Sequence, residues 1–267
     1  MDNLSPSMEM FNLMFNNCQY KIVEARAVTV SDIWPNFFNF YPNNRIYLID
    51  DGEATVFLKQ KKLHLTPGHL YFIPAFSAVG CECKTYLTHH FLHFEPSSNF
   101  NNILEFCDLD YVVEESPADK ILFDNIVEHF KDPFFSTKLS VEGAFKFLIA
   151  KFFLDSKLKN PAILRFSDVL TYIDEHLHEP ISVSDLAKII NLDTTYFSNL
   201  FTKTFGIPPL QYMIQKRINR SINMLVQEQY TIREIAYAVG FNNELYFSRL
   251  FKEKVGCSPL HYRKKLL

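Results

Sequence analysis

The sequence predicts an α+β chain: an N-terminal antiparallel β-barrel or sandwich, two helices after it, and an all-α region with two helix-turn-helix motifs. Three observations predict this. Short β-branched and aromatic runs follow one another to about Glu95. From about Ser116 the apolar period changes to three and four residues. Near the end, the frame "YFSNLFTKTFGIPPLQY" (Tyr196 to Tyr212) is written again as "YFSRLFKEKVGCSPLHY" (Tyr246 to Tyr262).

The strand-like runs are "QYKIVEARAVTV", "RIYLID", "ATVFLKQ", "HLYFIP" and "HHFLHFE", separated by turn signals at Asp50 to Glu53 and Thr66 to His69. Evenly spaced strands with no helices between them indicate an antiparallel barrel or sandwich. "PADKILFDNIVEHF" and "SVEGAFKFLIAKFFLDSKL" then read as two helices. The second carries Phe145, Phe147, Leu148, Ile149, Phe152, Phe153 and Leu154 on more than one face. Such a helix needs two surfaces to pack on, either both within its own domain or one on a second subunit, which makes 141–154 the expected homodimer contact. The polar segment "DSKLKNP" at Asp155 to Pro161 reads as a linker. The expected division is therefore 1–115 as a sensory domain, 116–160 as a helical dimerisation and linker region, and 161–267 as the helix-turn-helix domain.

Within the last region, Val183, Leu186, Ala187, Ile190 and Leu192 align with Ile232, Ile235, Ala236, Val239 and Phe241. After one extra residue in the second copy, Tyr196, Phe197, Leu200, Phe201, Gly206 and Pro209 align with Tyr246, Phe247, Leu250, Phe251, Gly256 and Pro259. Two units are too few for a solenoid, so this is a tandem pair. Ser182 with Asp185, and Thr231 with Glu234, have the spacing of capping boxes. Asn191 and Gly240 suit the left-handed residue of a tight turn, and second helices begin near Asp193 and Asn242. A pair of plain αα-hairpins used as scaffold is the alternative. Against it, apolar positions recur while outward ones change, with Thr195 facing Glu244, Asn199 facing Arg249 and Thr202 facing Lys252.

Charge supports a polyanion partner for this part alone. Residues 180–267 hold 12 Lys and Arg against 6 Asp and Glu, whereas 1–164 hold 14 against 20. The five cysteines, Cys18, Cys81, Cys83, Cys107 and Cys257, form no C-x-x-C pair or zinc spacing and fit reduced thiols in the cytoplasm. The N-terminus has no basic region before an apolar core, and "FKFLIAKFFL" is too short to cross a membrane, so neither a signal peptide nor a membrane span is expected.

"IREIAYAVGFNNELYFSRLFKEKVGCSPLHYRKK" resembles the second helix-turn-helix of AraC/XylS-type transcription regulators, and the first copy resembles their first. The resemblance covers about the last hundred residues. "LTPGHLYFIPAFSAV" is similar to the P-G-x-x-x-x-I-P segment of the cupin-like, jelly-roll sensory domains that precede this module in many members. The resemblance implies a sequence-specific regulator bound to double-stranded DNA, with RNA polymerase as a further partner and a small molecule held in the barrel.

The helices from Thr194 and Asn243 would then enter consecutive major grooves, held apart by a helix from Pro209 to about Glu228 with Leu210, Ile214, Ile218, Ile222 and Leu225 on one face. The expected base readers are Arg249, suited to guanine, and Asn199, suited to adenine. Thr195, Ser198, Thr202, Asn243, Glu244, Ser248 and Lys252 lie on the same faces. Lys216, Arg217, Arg220, Arg233 and Lys254 are candidates for phosphate contact or for ordinary solvated charge.

Trp34, Arg45, Tyr47, His89 and His93 are the candidate pocket lining. His89 and His93 share one side of their strand, with His90 opposite, so they could hold a metal or simply pack. A metal cupin is expected to carry a later His where this chain has Val79, so no metal, cofactor or catalytic group is assigned. No nucleophile triad, phosphate loop or paired carboxylate stands out, and an enzyme is not expected. The rival readings are a cupin-type metalloenzyme fused to a DNA-tethering module, and a dimeric DNA-binding protein that senses nothing.

Overall fold

The computed structural model describes residues 20–31, 43–59, 61–96, 104, 107–153, 161–225 and 229–266. They fall into two compact units, one drawn from 17–159 and the other from 160–267.

The first unit is built on eight described strands: β1 (Tyr20–Ser31), β2 (Asn44–Gly52), β3 (Ala54–Leu58), β4 (Lys62–Leu65), β5 (His69–Ile73), β6 (Ala78–Glu82), β7 (Tyr86–Pro96) and β8 (Val112–Glu114). They form a five-stranded sheet in the order β1-β7-β2-β5-β8 and a three-stranded sheet in the order β4-β3-β6. Every pairing is antiparallel. Three of these strands escape the sequence reading. Strand β4 is four residues long, β8 is three, and β6 contains Gly80 and two cysteines flank its end, so each is too short or too small-chained to show a period.

The alternation of β2 explains why it is buried on both faces. Tyr47 and Ile49 point between the sheets with Val56, Leu58, Leu65, Tyr71, Ile73, Leu87 and Phe91, forming one apolar cluster. Ile46 and Leu48 have the opposite parity and share the outer face with Phe72, Leu92 and Phe94. That face is covered by two helices, α1 (Pro117–His129) and α2 (Phe135–Ala150), followed by a 3₁₀ turn at Lys151–Phe153. Phe145 meets the Phe94 ring edge-on at 4.9 Å, Phe152 lies 5.6 Å from Phe72, and Phe123 lies 6.1 Å from His90. His90 bridges two carboxylates, Asp50 of β2 at 2.7 Å and Asp124 of α1 at 3.0 Å, and so ties helix to sheet.

Helix α2 spends its apolar residues unevenly. Phe145, Leu148, Ile149 and Phe152 are buried within the unit, so the stretch expected at a subunit contact is largely used at home. Phe135 (80% exposed), Leu139 (58%) and Phe147 (52%) are large apolar residues of α2 left outward. Leu154 lies outside the described residues.

The second unit is helical. After a 3₁₀ segment at Pro161–Phe166 come α3 (Ser167–Glu175), α4 (Val183–Ile189), α5 (Thr194–Phe205), α6 (Pro209–Leu225), α7 (Ile232–Ala238), α8 (Glu244–Val255) and α9 (Pro259–Leu266). Phe166 is fully buried and packs edge-on against Phe197, Phe201 and Phe205 of α5. Helix α6 buries Tyr212, Met213, Ile214, Ile218, Ser221, Ile222 and Leu225. Leu210, expected on that spine, is instead 53% exposed. Tyr212 and Met213 occupy the inner face of its turn. Among the described residues no helix is long and apolar enough to cross a membrane.

Candidate nucleic-acid interface

The two copies are built alike down to individual hydrogen bonds. Ser182 and Thr231 cap α4 and α7, each accepting from the backbone N–H three residues on at 3.1 Å. The partner acids Asp185 and Glu234 accept hydrogen bonds from the cap residues in return, which lowers the pKa of both carboxyls. Leu192 N–H donates to Ala187 and Phe241 N–H donates to Ala236, both at 2.9 Å, closing the same turn twice. Asn191 and Gly240 are the left-handed residues of these turns, with φ of 54° and 93°.

Packing repeats in the same way. Phe197, Phe201, Phe247 and Phe251 are fully buried. Phe201 meets Tyr212 at 5.5 Å and 72°, while Phe251 meets Tyr262 at 5.7 Å and 75°. Helices α5 and α8 both end at a left-handed glycine, Gly206 or Gly256, whose N–H donates 2.8 Å to the carbonyl of Thr202 or Lys252.

On α5, Thr195, Ser198, Asn199 and Thr202 stand at i, i+3, i+4 and i+7 along one outward stripe. The matching stripe of α8 is Leu245, Ser248, Arg249 and Lys252. Thr195 therefore stands opposite Leu245, and the counterpart of Glu244 is Thr194, because α5 begins at Thr194 and α8 at Glu244. The pairing of Thr195 with Glu244 expected from the sequence is one residue out of register. Leu245 is missed by sequence reasoning. It is 80% exposed, and counting from Tyr246 as the equivalent of Tyr196 would have found it.

The polar members of the stripes differ in how far they are already engaged. Ser198 donates to Thr194 O at 2.9 Å and Thr202 to Ser198 O at 2.7 Å, leaving their oxygens as acceptors. Asn243 caps α8, its Oδ1 accepting from Tyr246 N–H at 2.8 Å, so only its amide N–H₂ faces outward. Asn199, Arg249 and Lys252 are exposed, with the Arg249 guanidinium 5.4 Å from the Tyr246 ring.

The five phosphate candidates also separate. Arg220 and Arg233 are exposed, Arg233 lying against Tyr237. Lys254 is half-buried and reaches Gln211 of α6 at 3.4 Å. Lys216 is mostly buried and pairs with Asp174 at 3.5 Å. Arg217 donates to two backbone carbonyls, Leu177 O at 3.0 Å and Glu179 O at 2.7 Å.

In the first unit, β-sheet register brings four of the five pocket candidates onto one face. Arg45 pairs with His93, Tyr47 with Phe91 and Ile49 with His89, all pointing between the sheets. Arg45 and His89 are buried, and the Tyr47 ring lies 5.1 Å from His89 and 6.4 Å from His93. Burial lowers His89 to about 4 and His93 to about 3, with the Arg45 charge pressing further on His93. Both rings are thus neutral at pH 7. Trp34 lies outside the described residues. Among the described residues no group of three or more His, Cys, Asp or Glu has metal-binding geometry.

Residues 186–265 match a family model described as a helix-turn-helix domain. The probable transcriptional regulator LumQ of Photobacterium leiognathi is 28% identical over 217 residues, which is 79% of this chain and 86% of LumQ. An uncharacterized HTH-type transcriptional regulator of Escherichia coli K12, YdiP, is 34% identical over 98 residues, 37% of this chain. The chain spans about a third of the length of YdiP (32%) and of several other curated relatives. Among solved structures, ToxT of Vibrio cholerae matches with a TM-score of 0.59 and 16% identity over 91% of this chain and 98% of ToxT. That likeness is one of fold: antiparallel sheets followed by a helical helix-turn-helix region. ToxT has also been solved bound to (E)-4-(8-methylnaphthalen-1-yl)but-3-enoic acid.

Proposed function

We propose that the chain is a helix-turn-helix regulator of the AraC/XylS type that binds double-stranded DNA sequence-specifically, one chain reading two consecutive major grooves. The observation that carries this reading is the pair of matched motifs whose hydrogen bonds and aromatic packing repeat while their outward stripes differ. A scaffold has no use for that division. A reading surface requires it, because phosphate contacts position a protein and base contacts specify.

Arg249 is the principal base reader, its guanidinium bridging O6 and N7 of a guanine, with Lys252 beside it. Leu245 at the start of the same stripe is suited to the methyl group of a thymine. On α5, Asn199 is suited to adenine, and the hydroxyls of Thr195, Ser198 and Thr202 accept from base edges or water. Asn243 and Glu244 sit at the helix entry, where Asn243 offers its amide donors. Arg220, Arg233 and Lys254 serve the phosphates.

The first unit is proposed as a cupin-like barrel that holds a small-molecule effector between its sheets, domain boundaries falling near 115 and 160. Arg45, Tyr47, His89 and His93 support this, as a buried cation beside neutral imidazoles and aromatic rings is the composition of a polar ligand cradle. A compound that binds only the folded state raises the melting midpoint, and a metabolite screen in which none does would leave the unit without a sensing role. The exposed Phe135, Leu139 and Phe147 support a homodimer, which a monomer mass at micromolar concentration in sedimentation equilibrium would rule out. RNA polymerase is the further partner such a regulator engages, and the cytoplasm is where it would act.

Selection of DNA by the purified chain from a random pool tests the reading. Enrichment of two blocks about one turn, roughly 34 Å, apart is expected, and an unenriched pool would remove the function.

A further inference from the structure

Arg217 sits near the middle of α6, between the two motifs, and its side chain touches the segment before the first and the turn of the second. Its Nε–H and Nη2–H donate to the carbonyls of Leu177 and Glu179, in the segment that leads into the first capping box. Its guanidinium also lies 5.7 Å from the centre of the Phe241 ring, in the turn of the second motif. A planar fork can hold two carbonyls and stack on a ring at once, which an ammonium cannot.

The second motif is shaped to receive this arrangement. A Cβ on Gly240 would come 2.5 Å from Leu177 O and 2.9 Å from Arg217 Nε, closer than atoms can approach. The matching residue of the first motif is Asn191, also left-handed, whose side chain is accommodated. Glycine at 240 thus answers two demands: a φ of 93°, well past the 54° that Asn191 adopts, and the close approach of Leu177 and Arg217. In the register that aligns Tyr212 with Tyr262, Arg217 falls opposite Leu267, which cannot make these bonds; before the second motif it is Arg263 of α9, at a different register position, that donates to one carbonyl, Tyr230 O, at 2.7 Å.

We propose that Arg217 is a positioning residue: by clamping the 177–179 segment to the turn at Gly240 and Phe241, it fixes the distance and phase between the reading helices α5 and α8. This rests on the reading that one chain engages two grooves, and it takes Arg217 out of the phosphate set. Two linked motifs gain from each other only when both can engage at the geometry the DNA offers. Loosening the clamp therefore costs joint binding and leaves each motif able to bind alone.

The test compares the full-length wild type, Arg217→Met and Arg217→Lys on three duplexes: both selected blocks at their native spacing, the blocks moved apart by two base pairs, and one block with the other scrambled. Circular dichroism and melting confirm that each variant is folded. The wild type is expected to favour the native two-block duplex strongly over the other two. Both variants should lose about tenfold on it, as removal of charge-assisted hydrogen bonds implies, with unchanged affinity for the one-block duplex and a flatter response to spacing. Lysine should fail as methionine does. If lysine restores wild-type binding, or if methionine weakens all duplexes equally with a smaller salt slope, Arg217 is a phosphate contact and the proposal is overturned. Should methionine not fold, the lysine arm alone decides. A wild type with no two-block preference would instead remove the two-groove reading, and the clamp with it.

Discussion

At the scale of single residues, the two stripes assign different work to the two reading helices. In the proposed reading Arg249 and Lys252 make α8 the charged reader, while α5 offers Asn199, the Thr195 hydroxyl, and Ser198 and Thr202 hydroxyls that already donate to their own helix. Arg249→Ala is expected to cost about 1 to 3 kcal/mol on the selected site and to relax base preference at one position of the second block. Leu245 adds a contact that can be tested from the DNA side. Replacing thymine by uracil in the second block removes one methyl and should cost roughly 0.8 kcal/mol in the wild type and nothing in Leu245→Ala. Equal losses in both proteins, measured by fluorescence anisotropy, would place Leu245 off the bases. Sequence reading proposes Arg249 from its type and position, yet it passes over Leu245, which only its exposure makes a candidate. An apolar residue on a reading helix looks like core until its exposure is known. Arg217 was illegible for a different reason: its partners are 38 to 40 residues away, and nothing in a charge pattern distinguishes a solvated arginine from a clamping one.

Among the elements, the helices of the second unit were legible because each carries its own punctuation. Ser182, Thr231, Asn191, Gly240, Gly206 and Gly256 stand where a helix must start, turn or stop, and the repeat states most of it twice. The strands announce themselves less well. Strands β1, β2, β3, β5 and β7 are readable by composition, whereas β4, β6 and β8 are stabilised by their neighbours in the sheets and carry little pattern of their own. Strand β7 nevertheless makes a testable statement about pH. Its His89 and His93 stay neutral in the fold down to about 4 and about 3, while an unfolded chain protonates them near 6.5. Between those values the unfolded state binds more protons, so stability falls as pH falls, by up to about 1.4 kcal/mol per pH unit for each ring. Urea denaturation of the first unit from pH 7 to pH 4.5 should show this loss, reduced in His93→Gln. An identical slope in the variant would mean that other groups govern the acid sensitivity.

For the whole molecule, the legible quantity was the division of labour: an acidic, strand-rich front and a basic, helical back. Which apolar residues remain outward was not legible, because Phe145 and Phe147 differ only in which side of α2 the sheet covers. The working dimension of the molecule is α6, whose 17 residues span about 25 Å, and with the turns at its ends it suits a separation of one DNA turn and no more. Binding of the full chain to duplexes with zero, about 5 and about 10 base pairs inserted between the two selected blocks tests this most directly. Reading by one rigid body predicts that half a turn, which places the blocks on opposite faces of the DNA, lowers affinity to that of a single block. A full extra turn should not restore it, since α6 cannot reach. Equal affinity for all three duplexes would contradict the claim that one chain reads two consecutive grooves.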